Sequence, residues 1–251
     1  MIQTMIFDLD GTLVQTERLK AISYARAAVE LCPHDLGEEE VIEAFKEVVG
    51  LSRREVATAL VERFGLAVKV AGLMETYGVS APWQAFVQRR LQIYEVMLAD
   101  PNVIRNNQWP HNVALLQQAR DAGCSTGLAT MSHCPQANRV LEVLGLRDAF
   151  DFVATRDDVE NGKPDPEIYL LVAREIGATP SECLVIEDSS AGVQAALAAG
   201  MWCIAVATPF TRQALHASGL LDARWIVDDA AQVLSVAELM LRERAAASSS
   251  A

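Results

Sequence analysis

Positive charge is scarce in this sequence. Its 251 residues carry 21 Lys and Arg against 33 Asp and Glu, a formal net charge of −12 with His neutral. That balance excludes a broad basic face, so neither nucleic acid nor an anionic membrane is expected as a partner. An anion site would have to be built locally from a few cations, backbone N–H groups or a metal. Cysteine is sparse too: Cys32, Cys124, Cys134, Cys183 and Cys203 are an odd number, widely spaced, with no CxxC pair. This suits a reducing compartment better than a disulfide framework or a zinc site. The opening MIQTMIFDLD has no basic segment ahead of its apolar one, so no secretory leader is expected and the cytoplasm is the expected location. Aromatic residues make up 6% of the chain, and the four tryptophans show no stacking pattern, which leaves core or interdomain packing as their expected place. One run without charge, 189–211, has membrane-span length, but Gly192, Gly200 and Pro209 interrupt it. It reads as a helix from Ser190 to Ala199 and a strand from Trp202 to Ala205.

What is present is 51% hydrophobic and 22% charged residues, enough for a sizeable core in one large domain or two modest ones. Met5-Ile6-Phe7 reads as a short buried strand that delivers Asp8-Leu9-Asp10-Gly11-Thr12 into a turn. From Thr16 to about Asp100 apolar residues recur at three- and four-residue spacing among good helix formers, and nothing reads as a strand. After Pro101 strands and helices alternate: CSTGLAT, FDFVAT, CLVIED and WCIAV are continuous apolar strands between amphipathic helices. That alternation predicts a parallel sheet covered on both faces. The expected fold class is therefore α/β, a Rossmann-like open parallel sheet core with an inserted all-helical cap domain. Residues 1–15 and 101–245 would form the core, 16–100 the helical domain and 246–251 a disordered tail.

Open parallel sheets bind ligands at the carboxyl ends of their strands. The polar residues expected there are Asp8 and Asp10, Thr130 with Ser132, and Glu187 with Asp188, while Lys163 sits in the GKPDP loop. So many carboxylates at one rim repel one another and any anionic substrate, and a hard divalent cation with oxygen ligands resolves the conflict. Mg²⁺ is the usual choice where phosphate is involved. Lys163 would add a point charge.

In this order and spacing, DLDGT at 8–12, Thr130, Lys163-Pro164 and Glu187-Asp188 resemble the four signature motifs of the haloacid dehalogenase superfamily. The helical insertion and the run 186–192, IEDSSAG, resemble its β-phosphoglucomutase and sugar-phosphate phosphatase branch. The resemblance implies that Asp8 is a nucleophile forming an aspartyl-phosphate, and that Asp10 is the general acid and base. It implies Mg²⁺ held by Asp8, the Asp10 carbonyl and Asp188, with Glu187 as ligand or support, and phosphoryl oxygens held by Thr130 and Lys163. The expected partner is a small phosphorylated molecule, and the expected state a monomer or weak dimer. In the helical domain, Gly50-Leu51-Ser52-Arg53 resembles a phosphate-gripping loop, and Arg90 stands where that branch carries a basic residue. The mutase branch has a histidine at Lys20 and an acid at Gln15, and this departure favours water over a sugar alcohol as acceptor. The resemblance implies that Ser132, His133 and Cys134 fall in a loop that selects the substrate.

Blander roles compete at several positions. Ser52 with Glu55 forms a capping box, so Ser52 reads first as a helix cap and Arg53 as an anion ligand. Arg90 reads first as a solvated helix-face residue and second as a substrate ligand. Glu187-Asp188 doubles as the acidic start of the helix AGVQAALAAG. Cys124, Cys183 and Cys203 read as core.

Overall fold

The computed structural model describes every residue except Gly50 and those beyond 248, with side chains described through Ala246. Six parallel strands form one sheet: β1 (Thr4–Phe7), β2 (Ser125–Ala129), β3 (Phe152–Ala154), β4 (Cys183–Glu187), β5 (Trp202–Val206) and β6 (Ile226–Val227). Their spatial order is β3-β2-β1-β4-β5-β6. β1 pairs with β2 on one side, Phe7 opposite Leu128, and with β4 on the other, Phe7 opposite Ile186. The strands are apolar on both faces because helices cover both. Ile6, Val185 and Cys203 join one buried cluster, and the residues of opposite parity, Met5, Phe7, Leu184 and Ile186, are buried as well. β1 is central, and the chain leaves it in one direction and later returns on its other side. The topological switch point therefore lies between β1 and β4, and a crevice is expected beyond their carboxyl ends.

Between β1 and β2 the regular elements among the described residues are helices. The first seven of them are α1 (Thr16–Leu31), α2 (Glu38–Lys46), α3 (Arg53–Arg63), α4 (Ala67–Ala71), α5 (Met74–Tyr77), α6 (Pro82–Ala99) and α7 (Pro101–Arg105). The chain divides into two compact units, Met1–Gln15 with the chain from Ile104 onward, and Thr16–Val103. The second boundary lies three residues beyond the expected Pro101. Proline stops a helix that precedes it but starts one readily, and Asp100 Oδ1 accepts from the Asn102 N–H at 2.9 Å to cap the new turn. In the helical unit α1 packs on α2 and α6, and Tyr24 meets Phe45 and Phe86 with ring centroids 5.6 and 5.7 Å apart.

The sheet unit adds α8 (Pro110–Asp121), α9 (Cys134–Leu144), α10 (Glu167–Ile176), α11 (Ser190–Ala198), α12 (Arg212–Ser218) and α13 (Val233–Ser248). Ile168 and Val172 of α10 and Val193 of α11 fill the cluster around Ile6, while α8 packs on β1 and α13. The expected disordered tail is corrected for 246–248, which close α13. Alanine-rich sequence extends a helix at little entropic cost, so AAAS continues what VLSVAELMLRER starts. Residues 249–251 lie outside those described.

Candidate active site

The site is built where the strands stop. β1 ends at Phe7, and the next residue, Asp8, is 5% exposed; β4 ends at Glu187, 1% exposed, followed by Asp188, 3% exposed. Lys163 lies between them. Its ammonium donates to Asp8 Oδ1 and to Glu187 Oε1, both at 2.7 Å, and to the Ala129 carbonyl at 2.9 Å. All three donors of the ammonium are thus used, and its side chain is 5% exposed. Beneath it the ring of Tyr169, a fully buried residue of α10, lies 4.8 Å away, and the Tyr169 hydroxyl donates to Glu187 Oε1 at 3.1 Å. Glu187 Oε2 accepts from the backbone N–H of Asp188 and of Ser189, each at 2.8 Å, and from the Ser189 hydroxyl at 3.0 Å. Both Glu187 oxygens are therefore engaged within the protein, the arrangement of a support for Lys163 rather than of a metal ligand.

Asp10 is held from another strand end. Its Oδ2 accepts from the Ser132 hydroxyl at 2.6 Å and from the Thr130 hydroxyl at 3.2 Å, and the Ser132 N–H donates to Thr130 Oγ1 at 3.0 Å. Gly11 has φ +86°, and a Cβ there would overlap the Asp188 carboxylate. Only glycine permits both the left-handed turn and this close approach. At Gly192, inside a helix, a Cβ would likewise overlap the Glu187 carboxylate.

Two of the four carboxylates, those of Asp8 and Glu187, thus share the Lys163 ammonium. Burial, reinforced by the Glu187 and Asp10 charges and opposed by Lys163, pushes the Asp8 carboxyl up to about 8. Glu187 goes the other way: burial would raise it, but Lys163 and the Ser189 donors hold it below the ordinary glutamate value. Burial opposes the charge on Lys163 as well, yet its two carboxylates raise it further. Glu187 and Lys163 form the settled pair, and the Asp8 carboxyl, raised to about 8, keeps its proton near neutral pH unless a further cation joins Lys163 beside it. Its Oδ2 has no hydrogen-bond partner among the described residues. This donor set suits a hard divalent cation: oxygens only, with two buried carboxylates on Asp8 and Asp188 whose ionised forms a cation would stabilise. Among the described residues no group of three or more His, Cys, Asp or Glu side chains is gathered to hold a metal. Two carboxylates and a backbone carbonyl would make such a site without a third side chain.

A family model for haloacid dehalogenase-like hydrolases matches residues 2–200, which hold every one of these groups. The chain belongs to that family. It is 34% identical over 203 residues to a phosphoglycolate phosphatase of Salmonella paratyphi A, covering 79% of each chain. It is 29% identical over 199 residues to the phosphorylated carbohydrates phosphatase of Thermotoga maritima, covering 79% of this chain and 82% of that one. A crystal structure of β-phosphoglucomutase from Clostridium difficile superposes with a TM-score of 0.62 at 25% identity, covering 96% of this chain and all of that one. The chain is an enzyme of the haloacid dehalogenase-like hydrolase family, and no helix among its described residues is long and apolar enough to cross a membrane.

The remaining expected site residues are His133 in the sheet unit and Ser52, Arg53 and Arg90 in the helical unit. His133 is exposed, its Nδ1 2.6 Å from Asp157 Oδ1, while Asp157 Oδ2 accepts the first N–H of α9, that of Cys134, at 2.8 Å. In the helical unit Ser52 is spent as a cap: its hydroxyl accepts from the Glu55 N–H at 3.3 Å, and Glu55 accepts from the Ser52 N–H at 2.9 Å. Arg53 opens α3 and is exposed. The loop reading of 50–53 falls partly on Gly50, outside the described residues. Arg90 corrects the expectation of a solvated position. It is 5% exposed, its guanidinium 4.9 Å from the Tyr24 ring and 4.7 Å from the Tyr94 ring, with Nε unpartnered and no ion pair among the described residues. Helical periodicity marks which face of α6 is apolar, but it does not say whether an arginine at its edge turns in over two tyrosines. Tyr169 is the residue that sequence reading missed. In EIYLLVAREIG it stands on the apolar face and reads as core, which it also is.

Proposed function

We propose that the chain is a Mg²⁺-dependent phosphomonoester hydrolase acting on a small phosphorylated metabolite, a sugar phosphate, through an aspartyl-phosphate on Asp8. The observation that carries this reading is Lys163 held between Asp8 and Glu187 at 2.7 Å each. The Lys163–Glu187 pair fixes one Asp8 oxygen and so aims the other at an incoming phosphorus. Asp8 Oδ2 attacks, the bond from phosphorus to the departing alkoxide breaks, and Asp10 gives that oxygen its proton. Asp10 then takes a proton from the water that cleaves the acyl phosphate. The hydroxyls of Ser132 and Thr130 keep the Asp10 carboxyl in one orientation through both transfers. When bound by Asp8, Asp188 and the Asp10 carbonyl, Mg²⁺ supplies charge to the phosphoryl oxygens and balances the carboxylates.

The helical unit is assigned substrate selection. Arg90, buried without a carboxylate, costs stability unless an anion completes it, and Arg53 is the second cation named for that task. Relatives whose names specify phosphorylated carbohydrates and phosphoglycolate support a small anionic substrate. Lys20, paired with Glu17 at 2.7 Å where the mutase branch has histidine, supports water as the acceptor. The test is orthophosphate release from a panel of small sugar phosphates with Mg²⁺. Release that chelator or Asp8→Asn abolishes supports the reading. Conversion of β-glucose 1-phosphate to the 6-phosphate without orthophosphate would replace it with the mutase reading.

A further inference from the structure

The turn that carries Asp8 and Asp10 rests on a second segment, 107–112. Backbone joins them at two points: the Gln15 N–H donates to the Asn107 carbonyl at 2.7 Å, and the Trp109 N–H to the Leu13 carbonyl at 2.8 Å. A third contact comes from a side chain. Asn112, in the first turn of α8, donates through Nδ2 to the Thr12 carbonyl at 2.6 Å. Only the amide nitrogen can donate to a carbonyl, so this bond fixes which way the Asn112 amide points. Its Oδ1 consequently faces away from Thr12, and there it has no partner although Asn112 is 1% exposed. The indole Nε1 of Trp109 is buried and unpartnered as well. One is an acceptor and the other a donor, and both residues line a single cavity of about 10 Å³ with Gly11 and Thr208. That is about the volume a single water needs, and an unmet buried donor and acceptor are the partners it needs. Thr208 Oγ1 already accepts from the Phe210 and Thr211 N–H groups, so Trp109 and Asn112 are left as the polar groups to be satisfied.

We propose that Asn112 is a positioning residue for the Asp8–Asp10 turn, acting through the Thr12 carbonyl and through a buried water held between Asn112 Oδ1 and Trp109 Nε1. Gly11 connects this support to the chemistry. It lines the cavity on one side and meets the Asp188 carboxylate on the other. A turn that sagged into the cavity would carry Asp10 away from Ser132 and alter the space between Gly11 and Asp188. The inference rests on the phosphohydrolase reading for its kinetic consequence, not for the water or the contact.

The test compares wild type with Asn112→Leu, which keeps volume and loses both polar atoms, and with Trp109→Phe, which keeps a ring and loses the N–H. p-Nitrophenyl phosphate with Mg²⁺ is the probe. Asn112→Leu should lower kcat about tenfold or more with KM little changed, because misplacement harms the reacting geometry before it harms binding. Trp109→Phe should lower kcat in the same direction and by less. Amide exchange at 11–14 should quicken in both variants, and a high-resolution crystal structure of the wild type should show water in the cavity. A purely structural role for Asn112 predicts loss of folded protein with unchanged kcat per folded molecule, and that result overturns the proposal. So does a dry cavity in the wild type. If the wild type hydrolyses nothing, the phosphatase reading fails, and the ordered water with the exchange rates decides this inference alone: both present supports it, either missing refutes it.

Discussion

Tyr169 donates its hydroxyl hydrogen to Glu187 at 3.1 Å while its ring lies 4.8 Å from the Lys163 ammonium. One side chain thereby steadies both members of the ion pair that holds Asp8. Tyr169→Phe keeps the ring and deletes the bond to a buried carboxylate. A hydrogen bond to a charged group contributes roughly 1.5–3 kcal/mol, so equilibrium denaturation should show a loss of that order. Phosphatase activity per folded molecule should fall several-fold. Unchanged stability would mean that Glu187 does not depend on the phenol.

The Asp8 carboxyl gives the metal-free protein a specific pH dependence. Folded, it keeps its proton up to about 8, whereas the unfolded chain releases it near the ordinary aspartate value. Between those values the folded state binds more protons, so stability contributed by this group is present at low pH and is lost as pH rises towards about 8. Thermal midpoints in chelator should decline over that window, and the decline should shrink in Asp8→Asn. Mg²⁺ should raise the midpoint more at the alkaline end, where it no longer competes with the proton. A midpoint in chelator that climbs with pH up to about 8 would count against the charge assignment at Asp8.

Arg90 separates binding from stability. Its guanidinium lies over two tyrosine rings with no ion pair among the described residues, and burial, only partly offset by the two tyrosines, lowers its pKa from the ordinary value. Arg90→Met fills the same space without a charge. The thermal midpoint should hold or rise. KM for a sugar phosphate should rise about tenfold or more if the arginine meets a substrate anion. Steady-state kinetics beside thermal melts test both halves, and a fallen midpoint with unchanged KM would make Arg90 a structural residue.

Thiol labelling tests the packing of the sheet. Cys134 is exposed at the start of α9. Burial, followed by the nearby Glu182, pushes the Cys183 thiol up to about 11, and burial raises the Cys203 thiol well above its ordinary value. Iodoacetamide at neutral pH should modify Cys134 in the native protein and reach Cys183 and Cys203 only after denaturation, as read by peptide mass spectrometry. Native labelling of Cys203 would show the strand order or its cover to be wrong.

Much of the sheet was legible because parallel strands buried on both faces read as continuous apolar runs, as in CLVIE and WCIAV. β6 was not, since two residues between turns carry no periodicity, and the close of α13 was not, because its alanines resemble a low-complexity tail. At the site, the charged residues announce themselves by sitting at strand ends, where nothing else explains them. Tyr169 and Asn112 do not. Each occupies a helix position that packing alone accounts for, and only the direction of a hydroxyl or an amide reveals its second task. Ser52 shows the converse: its capping box was readable, and the cap uses the side chain that the resemblance assigned to substrate.

The central claim, that Asp8 becomes phosphorylated, is tested most directly by acid-quenching the enzyme during turnover with Mg²⁺ and a sugar phosphate, then mapping the phosphoryl group by peptide mass spectrometry. The account predicts an acid-stable, alkali-labile phosphoryl group on the peptide containing Asp8, absent in Asp8→Asn. A phosphoryl group on any other residue, or full turnover in Asp8→Asn, would contradict it.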